Sequence, residues 1–256
     1  MIDLHCHVLP GIDDGPSTLE ESLEMARAAA AAGTRTIVAT PHVSWEYRNR
    51  AEAIATLVGE LNARLGAEGV ALEIRTGAEL AMTRIGDLAA GELSRLTLGG
   101  GRWLLVEPPF TVVATGLDLL VADLQRQGYR VLLAHPERCP AFQRDRKMFE
   151  GLIDAGALGS LTAGSLGGTF GEPVRRFSLE LIADGLIHNV ASDAHDPIRR
   201  SPSIAAEIEQ AGLGALREWL TESVPAAILA GGEIPVRPHV EVAAPGGRLR
   251  RLLGGR

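Results

Sequence analysis

"RWLLVEPPFTVVATGLDLLVADLQRQGYRVLLAHPER", residues 102–138, reads as strand, helix, strand. Its first segment is an apolar run that ends at Glu107. "LDLLVADLQRQG" has the apolar spacing of an amphipathic helix, and "YRVLLAHPER" is a buried-looking run that ends at His135. Strands that alternate with helices belong in a parallel sheet. Each of these two strands therefore carries an ionisable, metal-competent side chain to its C-terminal end.

The pattern extends in both directions. "ALEIRTGAEL" (71–80) is expected to be a strand delivering Glu79, and "TRTIVAT" (34–40) a strand running into Pro41 and His42, with a helix from about Arg50 to Leu65 between them. At the start, "MIDLHCHVLPGIDDG" reads as a strand whose period of two points His5 and His7 the same way and Cys6 the other, with Asp13 and Asp14 just beyond. Ser17 and Thr18 stand three residues before Glu20 and Glu21, the spacing of a capping box, and "LEESLEMARAAAAAG" follows as a helix stopped by Gly33. Downstream, "VRRFSLELIADG" is a helix and "LIHNVASDAH" a strand ending at Asp193 and His195. About seven such units predict an α/β fold with a parallel sheet, open or closed into a barrel. In a βα barrel the C-terminal strand ends form the face on which active sites are built, so these distant residues would converge.

Bulk properties narrow the function. The chain has 256 residues, 46% of them hydrophobic and 22% charged, which suits one globular domain of α/β type. A net charge of −7 gives no general attraction to nucleic acid or to an anionic membrane, so no nucleic-acid partner is expected. Two cysteines, Cys6 and Cys139, make no disulfide framework. With no leader-like segment before Ile2 and no uninterrupted apolar run of about 18 residues, a cytoplasmic protein without a transmembrane segment is expected. The Gly- and Arg-rich segment 241–256 is expected to be a flexible tail. Oligomeric state is not readable.

The strand-end residues are His5, His7, Asp13 or Asp14, His42, Glu79, Glu107, His135, Asp193 and His195. A single histidine at a strand end is more often a surface or hydrogen-bonded residue than a ligand. Here five of the seven histidines follow predicted strands, and only His188 and His239 are left without a role. The donors are nitrogen and oxygen throughout, which suits Mn²⁺, Zn²⁺ or Fe²⁺, and several carboxylates suggest ions close enough to share one. Nothing in the sequence alone decides whether Asp13 or Asp14 turns inward.

"IDLHCHVLPGIDDGP", "TIVATPHV", "TGAEL", "LLVEPPF", "LLAHPERCP" and "ASDAHDPIRRSP", in this order, resemble the polymerase and histidinol phosphatase (PHP) superfamily. More narrowly they resemble its bacterial metal-dependent protein tyrosine phosphatases of capsular and exopolysaccharide synthesis. The resemblance spans roughly Met1 to Gly232 and implies a single-domain, distorted (β/α)7 PHP-type barrel, with residues 1–240 as the phosphoesterase domain. It implies up to three ions, manganese by preference. His5, His7, Glu79 and Asp193 would hold one; Glu79 would bridge to a second held by Glu107 and His135; and Asp14, His42 and His195 would hold the third. Arg138 of "HPER" would contact the substrate phosphate, the alternative being a surface salt bridge with Glu137. Asp14 or His195 could assist the leaving group. The implied substrate is the phosphotyrosine-containing tail of a bacterial tyrosine kinase. Histidinol phosphate or another small phosphate ester is the alternative on the same scaffold, and a non-catalytic metal-binding partner of the polysaccharide machinery is the alternative of another class. "HVSWEYRNR" after His42 departs from the family pattern, and that region should line the substrate entrance.

Phosphate monoesters hydrolyse very slowly unaided, so a catalyst must both generate a nucleophile and neutralise oxyanion charge, and clustered divalent ions do both. The thiolate alternative needs an arginine six residues after a cysteine. Ile12 and Asp145 occupy those positions after Cys6 and Cys139, which excludes it.

Overall fold

Leu104, Leu105 and Val106 on one strand, and Val131, Leu132 and Leu133 on its neighbour, are fully buried, as strands covered on both faces must be. They belong to β6 (Trp103–Glu107) and β7 (Arg130–Ala134), which pair in parallel with Trp103 opposite Arg130 and Val106 opposite Leu133. The helix Leu117–Arg126 joins them. It buries Leu117, Val121 and Leu124 on one face and leaves Leu119 72% exposed on the other.

This computed structural model describes residues 1–240, and the segment read as a flexible tail lies outside the described residues. The remaining strands are β1 (Ile2–Cys6), β2 (Thr36–Ala39), β3 (His42–Val43), β4 (Glu73–Thr76), β5 (Glu79–Ala81), β8 (Leu158–Thr162) and β9 (Asn189–Ala191). Two parallel sheets form, in the orders β1-β2-β4 and β3-β5-β6-β7-β8-β9. A backbone bridge between Cys6 and Ala194 ties the far edge of the second sheet back to β1, with the His7 amide donating to the Ala194 carbonyl at 2.9 Å. The chain also passes directly from β2 to β3 and from β4 to β5. Counting each broken pair as one stave, the described strands form a closed ring of seven parallel staves: the alternation predicts a parallel sheet of about seven units, open or closed, and the family resemblance implies the barrel.

The breaks depart from expectation, which made "ALEIRTGAEL" one strand. Pro41 has no N–H to donate, so the β2 ladder cannot run on unbroken into β3. On the neighbouring stave Gly77 sits so close to β2 that a Cβ there would lie 2.6 Å from Val38 Cγ1. Two hydrogen bonds carry the ladder past these points, from the Thr40 amide to the Cys6 carbonyl and from the Glu79 amide to the Pro41 carbonyl. Strand β8 has no counterpart in the sequence reading. Its residues, Leu-Gly-Ser-Leu-Thr, have weak strand preference, yet all five are buried between β7 and β9.

The helices cover the outside. Thr18 caps the helix Leu19–Ala31 by accepting from the Glu21 amide, while the Glu21 carboxylate accepts from the Ser17 and Thr18 amides, so the capping box pairs Thr18 with Glu21. The helix Ala51–Ala67 lies where Arg50 to Leu65 was expected. His188, read as a mid-strand residue, precedes β9 and packs its ring 6.1 Å from that of Trp219. Burial lowers its pKa to about 4, so it is a neutral packing residue.

Gly77→Ala is expected to destabilise the metal-free protein by about 1–3 kcal/mol, the cost of forcing a methyl group into a filled contact. A denaturant titration checks this, and an unchanged midpoint would show that β2 and β4 can spread apart.

Candidate metal centre

His5 is the penultimate residue of β1, and the turn beyond the strand carries His7 back over the same end of the barrel. Their Nε2 atoms lie 3.2 Å apart, each 3.3 Å from Glu79 Oε2 on β5, with Asp193 Oδ1, just past β9, at 3.4 and 3.6 Å. Glu79 reaches further. Its Oε1 pairs with His135 Nε2 at 2.8 Å and its Oε2 lies 3.0 Å from His42 Nδ1. Glu107, at the end of β6, stands 3.8 Å from His135 Nε2. On the outer side, Asp14 Oδ1 lies 3.3 Å from His195 Nε2 and 3.5 Å from His42 Nε2.

The nine residues expected from sequence therefore lie together. Their donor atoms fall into four overlapping groups, each within 4.8 Å: His5, His7 and Asp193; His5, Glu79 and His135; His42, Glu79 and Glu107; and His7, Asp14, His42 and His195. The first and last overlap the first and third expected ligand sets. The middle set is divided differently, with His135 grouped beside His5 and Glu107 beside His42.

Asp13 and Asp14 separate cleanly. Asp13 is buried, accepts from the Gly15 and His42 amides at 3.0 and 3.1 Å, and meets His7 Nδ1 at 2.7 Å. With its Nδ1 proton held there, His7 directs the Nε2 lone pair into the cluster. Asp14 is half-exposed and faces His42 and His195. His195 is oriented in the same manner, its Nδ1 lying 3.0 Å from the Asp193 carbonyl oxygen. The orienting role of Asp13 was not legible from the sequence; the adjacency of two aspartates was its only signal.

His135 and Asp193 are the non-glycine residues with positive φ among the described residues, at 32° and 50°. Left-handed backbone at such residues costs energy and concentrates at functional sites. Here it turns each side chain back over the strand end.

Two arginines converge on one oxygen, with Arg138 Nη1 and Arg200 Nη2 donating to Asp193 Oδ2 at 2.5 and 2.7 Å. Arg138 makes no pair with Glu137. That carboxyl is buried, accepts from the Thr162 amide and Ser165 Oγ, and is pushed up to about 7 by burial. Arg200 was missed by the sequence reading, although it stands five residues past His195 in a quoted motif.

The donor set fits divalent cations. Glu79 Oε2 is fully buried among imidazole nitrogens yet receives no directed hydrogen bond, and the buried His135 Nδ1 also has no partner. Burial raises Glu107 to about 8, aided by the charge of Glu79. Burial would lower His7, but the carboxylates of Asp13 and Glu79 outweigh it and lift it to about 10. Burial, reinforced by Arg138, lowers His135 to about 4. Protons on Glu107 and His7 thus stand where cations would be held, while His135 is left neutral.

Two predictions follow from this protonation and geometry. Because Glu107 and His7 must lose protons to ligate, apparent affinity for Mn²⁺ should rise with pH through about 8, with proton release on binding; calorimetry in buffers of different ionisation enthalpy measures this, and pH-independent uptake would contradict it. His42→Ala or His195→Ala should lose one ion before the others, whereas Asp13→Asn should weaken binding about 10–100-fold without removing a ligand; metal analysis at graded Mn²⁺ concentration separates these outcomes.

Comparison with known proteins agrees with the architecture. The family described as capsular polysaccharide synthesis, CpsB/CapC, matches residues 1–212. Tyrosine-protein phosphatase YwqE of Bacillus subtilis is 40% identical over 197 residues, covering 77% of this chain and 78% of that protein. Tyrosine-protein phosphatase CpsB of Streptococcus pneumoniae is 30% identical over 217 residues, covering 79% and 86%. A chain from the crystallographic study of YwqE and CpsB, which describes them as unique metal-dependent tyrosine phosphatases, superposes with a TM-score of 0.83 at 36% identity, covering 98% of this chain and all of that one. A ring of seven parallel staves, ionisable residues at their C-terminal ends and matches over most of the sequence lead to one assignment: the chain belongs to the CpsB/CapC family of capsular polysaccharide synthesis.

Proposed function

We propose that this chain is a metal-dependent phosphatase that hydrolyses phosphotyrosine. The observation that carries the reading is Arg138, whose guanidinium is held against Asp193 beside four groups of nitrogen and oxygen donors, most of them buried, at one end of the barrel. A guanidinium fixed on one side keeps its remaining donors in a planar fork suited to phosphate oxygens. Arg200, on the same carboxylate oxygen, adds a second positive charge. Divalent ions bound by His5, His7, Asp14, His42, Glu79, Glu107, His135, Asp193 and His195 would supply Lewis acidity toward the phosphoryl oxygens and lower the pKa of water. Manganese is our choice of ion, given imidazole mixed with four carboxylates.

The chain's own groups do the rest. Arg138 and Arg200 bind and orient the phosphate and offset charge that grows on its oxygens in the transition state. A phenol has a pKa of about 10, so tyrosinate leaves with little help. The Asp14 and His195 pair, at the half-exposed edge of the site, stands where a proton could be passed to it. Both cysteines are buried, and burial raises both thiols, so neither supplies a thiolate nucleophile.

A cleft of about 830 Å³ opens beside Asp14 and His195 and is lined further by Pro16, Ser17, Ile198 and Arg199, a volume that can take residues flanking a phosphotyrosine. Among the described residues no helix is long and apolar enough to cross a membrane. We place the enzyme in the cytoplasm, with residues 1–240 as one phosphoesterase domain. Its substrate is the tyrosine-phosphorylated tail of a kinase that controls polysaccharide export.

Metal-stripped protein should be inactive on a phosphotyrosyl peptide and regain turnover with Mn²⁺. Arg138→Ala should lower kcat by about 10²–10³, the usual cost of removing one transition-state charge partner, while Cys6→Ala keeps most activity. Steady-state kinetics tests all three; turnover of histidinol phosphate but not of the peptide would move the assignment to small phosphate esters.

A further inference from the structure

The chain holds only ten aromatic residues, five Phe, two Tyr and three Trp. Trp103, Phe142 and Phe149 are buried in the core, but Phe110 is 50% exposed at the mouth of the metal centre, three residues beyond Glu107. A large ring left half in water, next to a polar cluster, calls for an account that core packing does not give.

The surroundings of Phe110 are specific. It follows Pro108 and Pro109, whose fixed φ angles stiffen the loop, and the Pro109 carbonyl lies 3.7 Å from Cys139 Sγ. Its ring centroid lies 5.3 Å from that of His135 and 5.3 Å from Arg138 Cζ. Phe170 takes the same guanidinium at 4.3 Å. Across the site, Tyr47 stacks on His42, with centroids 5.6 Å apart and planes 13° from parallel. His135 and His42 lie 2.8 and 3.0 Å from the two oxygens of one carboxylate, Glu79. Phe110 and Tyr47 therefore stand against the two histidines that flank Glu79. Val112 and Val113, both exposed, continue the apolar rim beside Phe110.

We propose that Phe110, with Tyr47 opposite, sets the specificity of the site for aryl phosphates by taking the ring of the substrate against its exposed face. The inference rests on the phosphatase reading above. In this reading the phosphate rests on Arg138 and its ester group passes the Phe110 ring that packs on that arginine. An aryl group there gains an aromatic contact, and an alkyl ester such as phosphoserine gains little. Phe170, which covers Arg138 from its other neighbour, has a positioning role only.

Binding of phenylphosphonate and methylphosphonate to the Mn²⁺-loaded protein, measured by calorimetry, tests this apart from turnover. The wild type should bind phenylphosphonate about ten-fold more tightly, the order expected of one aromatic pair. Phe110→Ala should erase that preference, Phe110→Trp should restore it, and Tyr47→Ala should reduce it. In parallel, kcat/KM on phosphotyrosyl peptide should fall in Phe110→Ala by about the same factor, while that on phosphoseryl peptide falls much less. Equal losses for both phosphonates would show that Phe110 only supports Arg138 and His135, and an unchanged preference would show that its exposed face is idle. Either result overturns the inference but leaves the phosphatase reading intact if the wild type turns over phosphotyrosyl peptide. A wild type that binds neither phosphonate and turns over neither peptide overturns both.

Discussion

Glu79 is a carboxylate with no exposed surface, set between His5, His7, His42 and His135. An ionised carboxylate in such a place costs several kcal/mol unless positive charge surrounds it. Burial alone would raise its pKa, yet the neighbouring imidazoles hold it well below the ordinary carboxylate range. Those imidazoles come from β1, the turn after it, β3 and the loop after β7. No two adjacent strands could supply them, so the charge of one side chain requires the ring of staves to close. The cost of burying it is recovered only when every contributor is in place.

The same requirement explains the local backbone. His135 and Asp193 leave their strands in left-handed conformations, a penalty that a surrounding hydrogen-bonded frame must offset. For Asp193 the frame is explicit: its carboxylate takes Arg138, Arg200 and Thr162 Oγ1, and its amide donates to the His5 carbonyl at 2.8 Å. Beneath it, the buried Asp3 accepts from the Ser192 amide and hydroxyl and from the His5 amide, joining β1 to the end of β9 through a side chain. The closure of the barrel and the placement of the donors are one set of bonds.

Most of this was legible because a buried parallel strand is a near-continuous apolar run, and the ionisable residue within a few positions of its end marks the C-terminal face. His42, Glu107, His135 and Asp193 could be placed in that way. The reading failed where a strand lacks that signature. Leu158–Thr162 is a fully buried stave made largely of small and hydroxylated residues, held by its neighbours and not by its own preference. The divided staves were hidden because Pro41 looks like an ordinary strand end and Gly77 lies inside a run that reads as one strand, and only the closeness of Val38 reveals the packing of Gly77. Asp13 and Asp14 differ by one position, and their opposite roles depend on the φ of 64° at Gly11 and on a Gly15 whose Cβ would strike the His7 carbonyl at 2.4 Å. Arg200 acts across space on Asp193, and no local pattern announces such a contact.

The divided staves also separate two kinds of selection. Below Pro41 and Gly77, β2 and β4 belong with β1 to a small sheet of their own, and their buried Ile37, Val38 and Ile74 serve cohesion, while β1 alone of the three carries a donor, His5. Above the breaks, β3 and β5 belong to the larger sheet and carry His42 and Glu79, and the loop after β3 bears Trp45 and Tyr47. Changes in the upper loops need not be propagated through the ladder beneath, because they meet it at a break in the strand pairing that the Thr40–Cys6 and Glu79–Pro41 hydrogen bonds cross. A lineage on this scaffold can therefore remodel what enters the barrel mouth while its floor drifts only under the demands of packing, and the divergent run "HVSWEYRNR" lies on the free side of that boundary.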